Sequence, residues 1–260
     1  MRGFFKSFFA ALLALIAFTV VIVIILSVAV SGFLSPKKPD IGAKTVLYID
    51  LGQSYREQEQ ENPLSGLGSE DQYNVPGLYD LIRLVRYAKD DSAVKGIYLK
   101  CNDDPNGFAT NEEIRNAVLD FKKSGKFVYA YGDVIPQKAY YVATAADRIY
   151  CNPKGGVEWR GFSTEMPILK GTLQKLEIEP QIFYAGKFKS ATEPLREDKM
   201  TEANRLQLTE LLGDFFNRLL YSTAIARQLD TATLRKCVNN HLINYPNDAL
   251  AYKLVDGLKY

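Results

Sequence analysis

VKGIYLKCNDDPNGFATNEEIRNAVLDFKKSGKFVYAY, residues 94–131, is the stretch on which the fold reading turns. Val94 to Cys101 is a β-rich run that stops in Asn102-Asp-Asp-Pro-Asn-Gly107, a cluster of turn formers. Thr110, with Glu113 three residues on, has the form of an N-cap, and a helix is predicted from there to about Ser124. Phe127 to Tyr131 is the next strand. Upstream, Thr45 to Leu51 is a near-continuous apolar run, the pattern of a strand buried on both faces. Leu78, Leu81, Ile82, Val85 and Ala88 follow it at helical spacing. Downstream, Tyr140 to Ala146 is predicted helical and Arg148 to Cys151 a short strand. Strands that alternate with helices in this way predict an α/β fold with parallel crossovers.

Beyond the strands the pattern changes. Gly161-Phe162 opens an irregular stretch, Leu169 to Leu176 is predicted helical, and Gln181 to Tyr184 is predicted to return to strand. Thr201 to Ala226 is a long helix, and Thr231 to Val238 and Pro246 to Leu254 are two shorter ones, with Leu258 in the last, turn-like residues. Gln53 to Asn74 is polar and predicted to be a loop, and residues 35–44, with two prolines and a glycine, a linker.

Composition excludes several classes. A formal charge of +2 with interspersed signs gives no basic field, so a nucleic-acid partner is not expected. Cys101, Cys151 and Cys237 have no C-x-x-C spacing, which leaves one oxidised pair open and argues against a zinc site. His241, the only histidine, has no metal-ligating neighbours, so neither a metal nor a Ser-His-Asp triad within this chain is expected, and no cofactor is implied.

Phe8 to Val30 is uncharged and mostly apolar, about 23 residues or roughly 35 Å of helix, enough to cross a bilayer. It is longer than the apolar core of a cleaved signal peptide. Arg2 and Lys6 precede it, while Lys37, Lys38 and Lys44 follow and weaken the charge bias. The expected organisation is a cytoplasmic N-terminus and anchor at 1–34, a linker at 35–44, and an extracytoplasmic α/β domain at 45–260.

Gln181 to Met200, QIFYAGKFKSATEPLREDKM, holds the candidate chemistry. If strand geometry continued past Gly186, Lys187 and Lys189 would share a face and Phe188 would point away. A lysine among Phe188, Ser190 and Ala191 has little charge nearby, and desolvation would lower its pKa towards that of a general base. On chemistry alone, two solvated surface lysines are the commoner outcome.

Gly186-Lys-Phe-Lys-Ser-Ala-Thr-Glu-Pro194 resembles the G-x-Y/F-K-S-A-x-E-P segment of bacterial signal peptide peptidases of the protease IV type. The resemblance covers nearly the whole chain, anchor included. It implies a crotonase/Clp-protease-like spiral of βα units, a serine endopeptidase with a Ser-Lys dyad, and Lys189 as its general base. It also implies peptide substrates of the signal-peptide-remnant kind, an inner-membrane location with the domain periplasmic, and a homo-oligomer. The family's serine lies in a Ser-Gly-Gly-Tyr segment at a helix start. The matching point here reads Pro136-Gln-Lys-Ala-Tyr140, which puts Gln137 in the serine's place and Lys138 and Ala139 in place of the glycines. The Asn102–Gly107 turn likewise departs from the family's Ser-Pro-Gly-Gly turn.

The long form of the family joins two related domains, with the base in the first and the serine in the second. This chain resembles the first half, so a serine-bearing domain, in cis or in trans, is the expected partner. Ser190 adjoins Lys189 but would face away on a strand, and Ser163 and Ser124 lack a supporting motif. Two other readings stand beside the peptidase: a non-catalytic peptide-binding or assembly module, and an acyl-CoA enzyme of the crotonase kind.

Overall fold

The computed structural model describes residues 2–34, 42, 44–58 and 75–260. Most of the expected linker and residues 59–74 of the expected loop lie outside them. The chain divides into two units, Met1–Gly42 and Ala43–Tyr260. The first is helix α1 (Arg2–Leu34), within which Lys6–Ile25 is long and apolar enough to cross a membrane.

In the second unit five strands form one sheet: β1 (Thr45–Asp50), β2 (Val94–Lys100), β3 (Phe127–Ile135), β4 (Arg148–Val157) and β5 (Gly257–Leu258). They lie side by side in sequence order and every pair is parallel. Helices α2 (Leu78–Asp90), α3 (Phe108–Lys122) and α4 (Gln137–Ala143) fill the first three crossovers. The α/β expectation therefore holds, and Leu258 turns out to be a ladder residue paired with Cys151.

Side-chain alternation places Ile49, Leu99, Ala130 and Ile149 in one buried row, while Tyr48, Tyr98, Tyr129 and Arg148 form the adjacent row on the opposite face. Val46 and Tyr48 are exposed, so β1 is not buried on both faces as its apolar run suggested. Tyrosine counts as apolar in such a run, yet its hydroxyl accepts water. Tyr48 and Tyr98 stack on that outer face at 5.7 Å.

Leu78, Leu81, Val85 and Ala88 of α2 and Ile114, Val118 and Phe121 of α3 bury the stripes that their spacing predicts. The α3 helix starts earlier than its Thr110 signal, with Gly107 as N-cap. In α4, residues 139–143 are buried throughout, and the Tyr140 hydroxyl donates to the Leu254 carbonyl at 2.7 Å. Trp159 is 1% exposed, and its indole N–H donates to the Leu234 carbonyl at 3.0 Å. Close approach of β4 to β3 requires a glycine at Gly155, where a Cβ would lie 1.5 Å from the Asp133 carbonyl oxygen.

After β4 the chain forms α5 (Lys170–Lys175), α6 (Glu193–Arg196), α7 (Glu202–Arg227), α8 (Thr231–Asn239) and α9 (Pro246–Ala251). Asp256 ties this C-terminal part to the sheet. Its carboxylate accepts from the Ile149 amide at 2.8 Å, Arg227 at 2.8 Å and Arg148 at 3.1 Å. Burial alone would raise its pKa, but the Arg227 and Ile149 hydrogen bonds outweigh that and hold it below the usual carboxylate range. Removing the carboxylate strands Arg227 and the amide, so Asp256→Ala is expected to cost about 3 kcal/mol. For a carboxyl depressed on folding, the contribution is complete above an unfolded value of about 3.9 and is lost as pH falls through the folded value. Urea midpoints of wild type and variant should therefore converge as pH drops below that point; a constant gap down to pH ~2 would contradict it.

Candidate active site

Residues 158–201 link β4 to α7, and the lysine segment lies within them. Among the described residues Gln181–Tyr184 belongs to no strand, because no neighbouring strand supplies a ladder. The segment ends in a turn at Gly186, whose φ of +103° favours glycine, and the Lys189 amide donates to the Gly186 carbonyl at 3.3 Å. Lys187 and Lys189 thus sit in a turn rather than on a strand face, and the alternation argument lapses. Both are exposed, so the expected desolvation of Lys189 is not present in this structure.

The surroundings are nonetheless apolar. Lys189 lines a surface cup of about 460 Å³ with Phe183, Tyr184, Phe188, Ser190 and Thr192. Phe183 is 92% exposed, and Leu176, Ile178, Tyr184 and Phe188 are exposed as well. The Lys187 ammonium lies 5.6 Å from the Phe188 ring centroid, and Arg196 stacks on Tyr184 at 3.9 Å.

Gln137 opens α4, 7% exposed, and both its amide nitrogen and its amide oxygen bond to backbone. Its Nε2 donates to the Gly161 carbonyl at 2.9 Å, and its Oε1 accepts from the Arg160 and Gly161 amides, each at 2.9 Å. Gln137 does not line the cup around Lys189. Lys138 donates to the Asn106 carbonyl at 2.7 Å, and Ala139 is in the core.

The 102–107 turn is filled by its own side chains. Asn106 donates through Nδ2 to the carbonyls of Leu51 and Gln53 and accepts at Oδ1 from the Tyr55 amide. Asp104 accepts from the Asn106 amide at 3.0 Å and from Asn111 at 2.6 Å, and burial pushes its carboxyl above the ordinary range. The sequence marks this segment as a cluster of turn formers; its density of Asn and Asp, residues that hydrogen-bond backbone locally, is what builds the network.

The Ser124 hydroxyl donates to the Phe121 carbonyl at the end of α3, and the Ser190 carbonyl accepts from the Glu193 amide. The three cysteines are buried free thiols. His241 has a positive φ of 49° just beyond α8, a helix-end role. Among the described residues no cluster of His, Cys, Asp and Glu is arranged to hold a metal.

Comparison with known proteins gives consistent results. The family model for peptidase family S49 matches residues 120–260. Protease 4 of Salmonella typhi is 32% identical over 202 residues, 73% of this chain and 32% of that protein. Protease 4 of Haemophilus influenzae is 30% identical over 214 residues, 79% of this chain and 35% of that protein. "Serine protease SPPA, chloroplastic" of Arabidopsis thaliana is 33% identical over 130 residues, 50% of this chain and 19% of that protein. The chain therefore spans about a third of the length of the two Protease 4 relatives. Among solved structures, a membrane-bound stomatin-specific protease matches at 15% identity with a TM-score of 0.43, covering 84% of this chain and 81% of that one.

Proposed function

Because the chain belongs to peptidase family S49, we propose that it is the base-bearing part of a membrane-anchored serine endopeptidase, with Lys189 taking the proton of a serine supplied by a companion domain. The observation that carries this reading is the position of Lys189 in a cup of exposed aromatic side chains. An ammonium there is solvated while the cup is open. A domain that docks on Phe183, Tyr184 and Phe188 would shield the amine from water and could bring a serine hydroxyl within its reach. Gln137 in the serine's place gives the same division of labour from the other side, since this domain brings a base and no nucleophile.

The substrates we propose are apolar peptide remnants of signal-peptide type, presented in or beside the membrane by the anchor, and the working assembly is a homo-oligomer. The second reading, a non-catalytic peptide-binding or assembly module, is favoured by one observation, the Gln137 side chain closed onto Gly161. Mixing the purified chain with a serine-bearing domain of the family and a fluorogenic peptide separates the two. Turnover that needs both components supports the peptidase; stable association without turnover supports the binding module.

We place the N-terminus in the cytoplasm and the domain outside, with Lys6–Ile25 spanning the bacterial inner membrane. In sealed spheroplasts, added protease should digest the Ala43–Tyr260 unit. Digestion only after lysis would refute that orientation.

A further inference from the structure

We propose that Glu193 is a positioning residue for Lys189, its buried carboxylate fastening the lysine turn to the start of α7; this rests on Lys189 being the base. Glu193 is 2% exposed although the segment before it is almost wholly exposed. Its carboxylate accepts from the Thr201 hydroxyl, from the Thr201 amide at 3.3 Å and from Asn204 Nδ2 at 2.9 Å. Thr201 is the N-cap of α7, a helix of 26 residues, so the negative charge lies at the favourable end of its dipole. Arg196 stands 4.0 Å away and is also engaged by Glu197, so the carboxylate is held mainly by neutral donors. Burial alone would raise its pKa, but the hydrogen bonds from Thr201 and Asn204 prevail and keep it below the ordinary range. It is therefore a fixed anionic anchor.

The anchor is coupled to the lysine by two short steps. The Glu193 amide donates to the Ser190 carbonyl at 2.9 Å, and the Lys189 amide donates to the Gly186 carbonyl at 3.3 Å. On the other side, the Pro194 carbonyl accepts from the Leu169 amide at 2.7 Å, at the start of α5. Glu193-Pro194 is thus the knot joining the lysine turn, α5 and α7. In α5 no residue is buried, and in α6 Glu193 alone is. Hydrophobic packing therefore does little to hold the turn, and the carboxylate carries its placement.

The test uses the full chain for hydrogen exchange and its assembly with the serine-bearing domain for kinetics. In Glu193→Ala, amides 187–201 should exchange at least about tenfold faster while those of β2 and β3 are unchanged, a local rather than global opening. In the assembly kcat should fall about 10²-fold, the size expected of a displaced catalytic group, with KM changed less than about twofold. Glu193→Gln, which keeps an acceptor oxygen for Thr201, should fall between Glu193→Ala and wild type. Equal acceleration of exchange in β2 and β3 would reduce Glu193 to a stability residue and overturn the proposal. Normal turnover of Glu193→Ala beside an inactive Lys189→Arg would overturn it alone. Normal turnover of Lys189→Arg would overturn it together with the base assignment.

Discussion

Lys189→Ala and Lys189→Arg, made in the assembled enzyme, should each lower the acylation rate by about 10²–10⁴-fold, or roughly 3–5 kcal/mol, the usual range for a lost general base. Alanine removes the amine. Arginine keeps the charge but holds its proton throughout the accessible pH range, so the two variants fail for different reasons and should fail alike. Lys187→Ala should retain most of the rate, since Lys187 is drawn to the Phe188 ring and does not line the cup. Stopped-flow acylation of the three variants reads both effects. Near-normal acylation in Lys189→Arg, or greater damage from Lys187→Ala, would reassign the base.

The second large effect is an absence of activity: the purified 260-residue chain should hydrolyse no fluorogenic peptide and take up no serine-directed fluorophosphonate. A carboxamide has no ionisable hydroxyl, and the Gln137 amide is spent on Arg160 and Gly161. The half-buried Ser190 follows Lys189 directly, and its carbonyl accepts from the Glu193 amide. Turnover that the fluorophosphonate abolishes would show that a hydroxyl of this chain serves as nucleophile after all.

The sheet and its helices were legible because each is amphipathic on its own. The stripe Leu78, Leu81, Val85, Ala88 and the run Val94–Cys101 state their burial locally. What was misread depends on partners distant in sequence. Gln181–Tyr184 has strand composition, yet a strand exists only beside another, and none reaches it among the described residues. β1 reads as doubly buried in the sequence because tyrosine suits both a core and a wet sheet face. The candidate site residues are legible for the opposite reason. Gly186, Lys189, Glu193 and Pro194 are a local motif, and Gln137 stood out as a substitution within one. The role of Glu193 was not visible, since Thr201 and Asn204 become its donors only when α7 folds back on the turn.

Trp159, the only tryptophan in 260 residues, makes the molecule its own optical reporter. The indole is sealed from water, bonded to the Leu234 carbonyl and packed edge-on against Tyr140 at 5.9 Å. Its emission should be blue-shifted in the native state and move to the red when the seam between the end of β4 and α8 parts. The lysine turn contains no indole. Intrinsic fluorescence will therefore follow the body of the domain and be silent about that turn, so a sharp melting curve read at this wavelength is no assurance that Lys189 is in place.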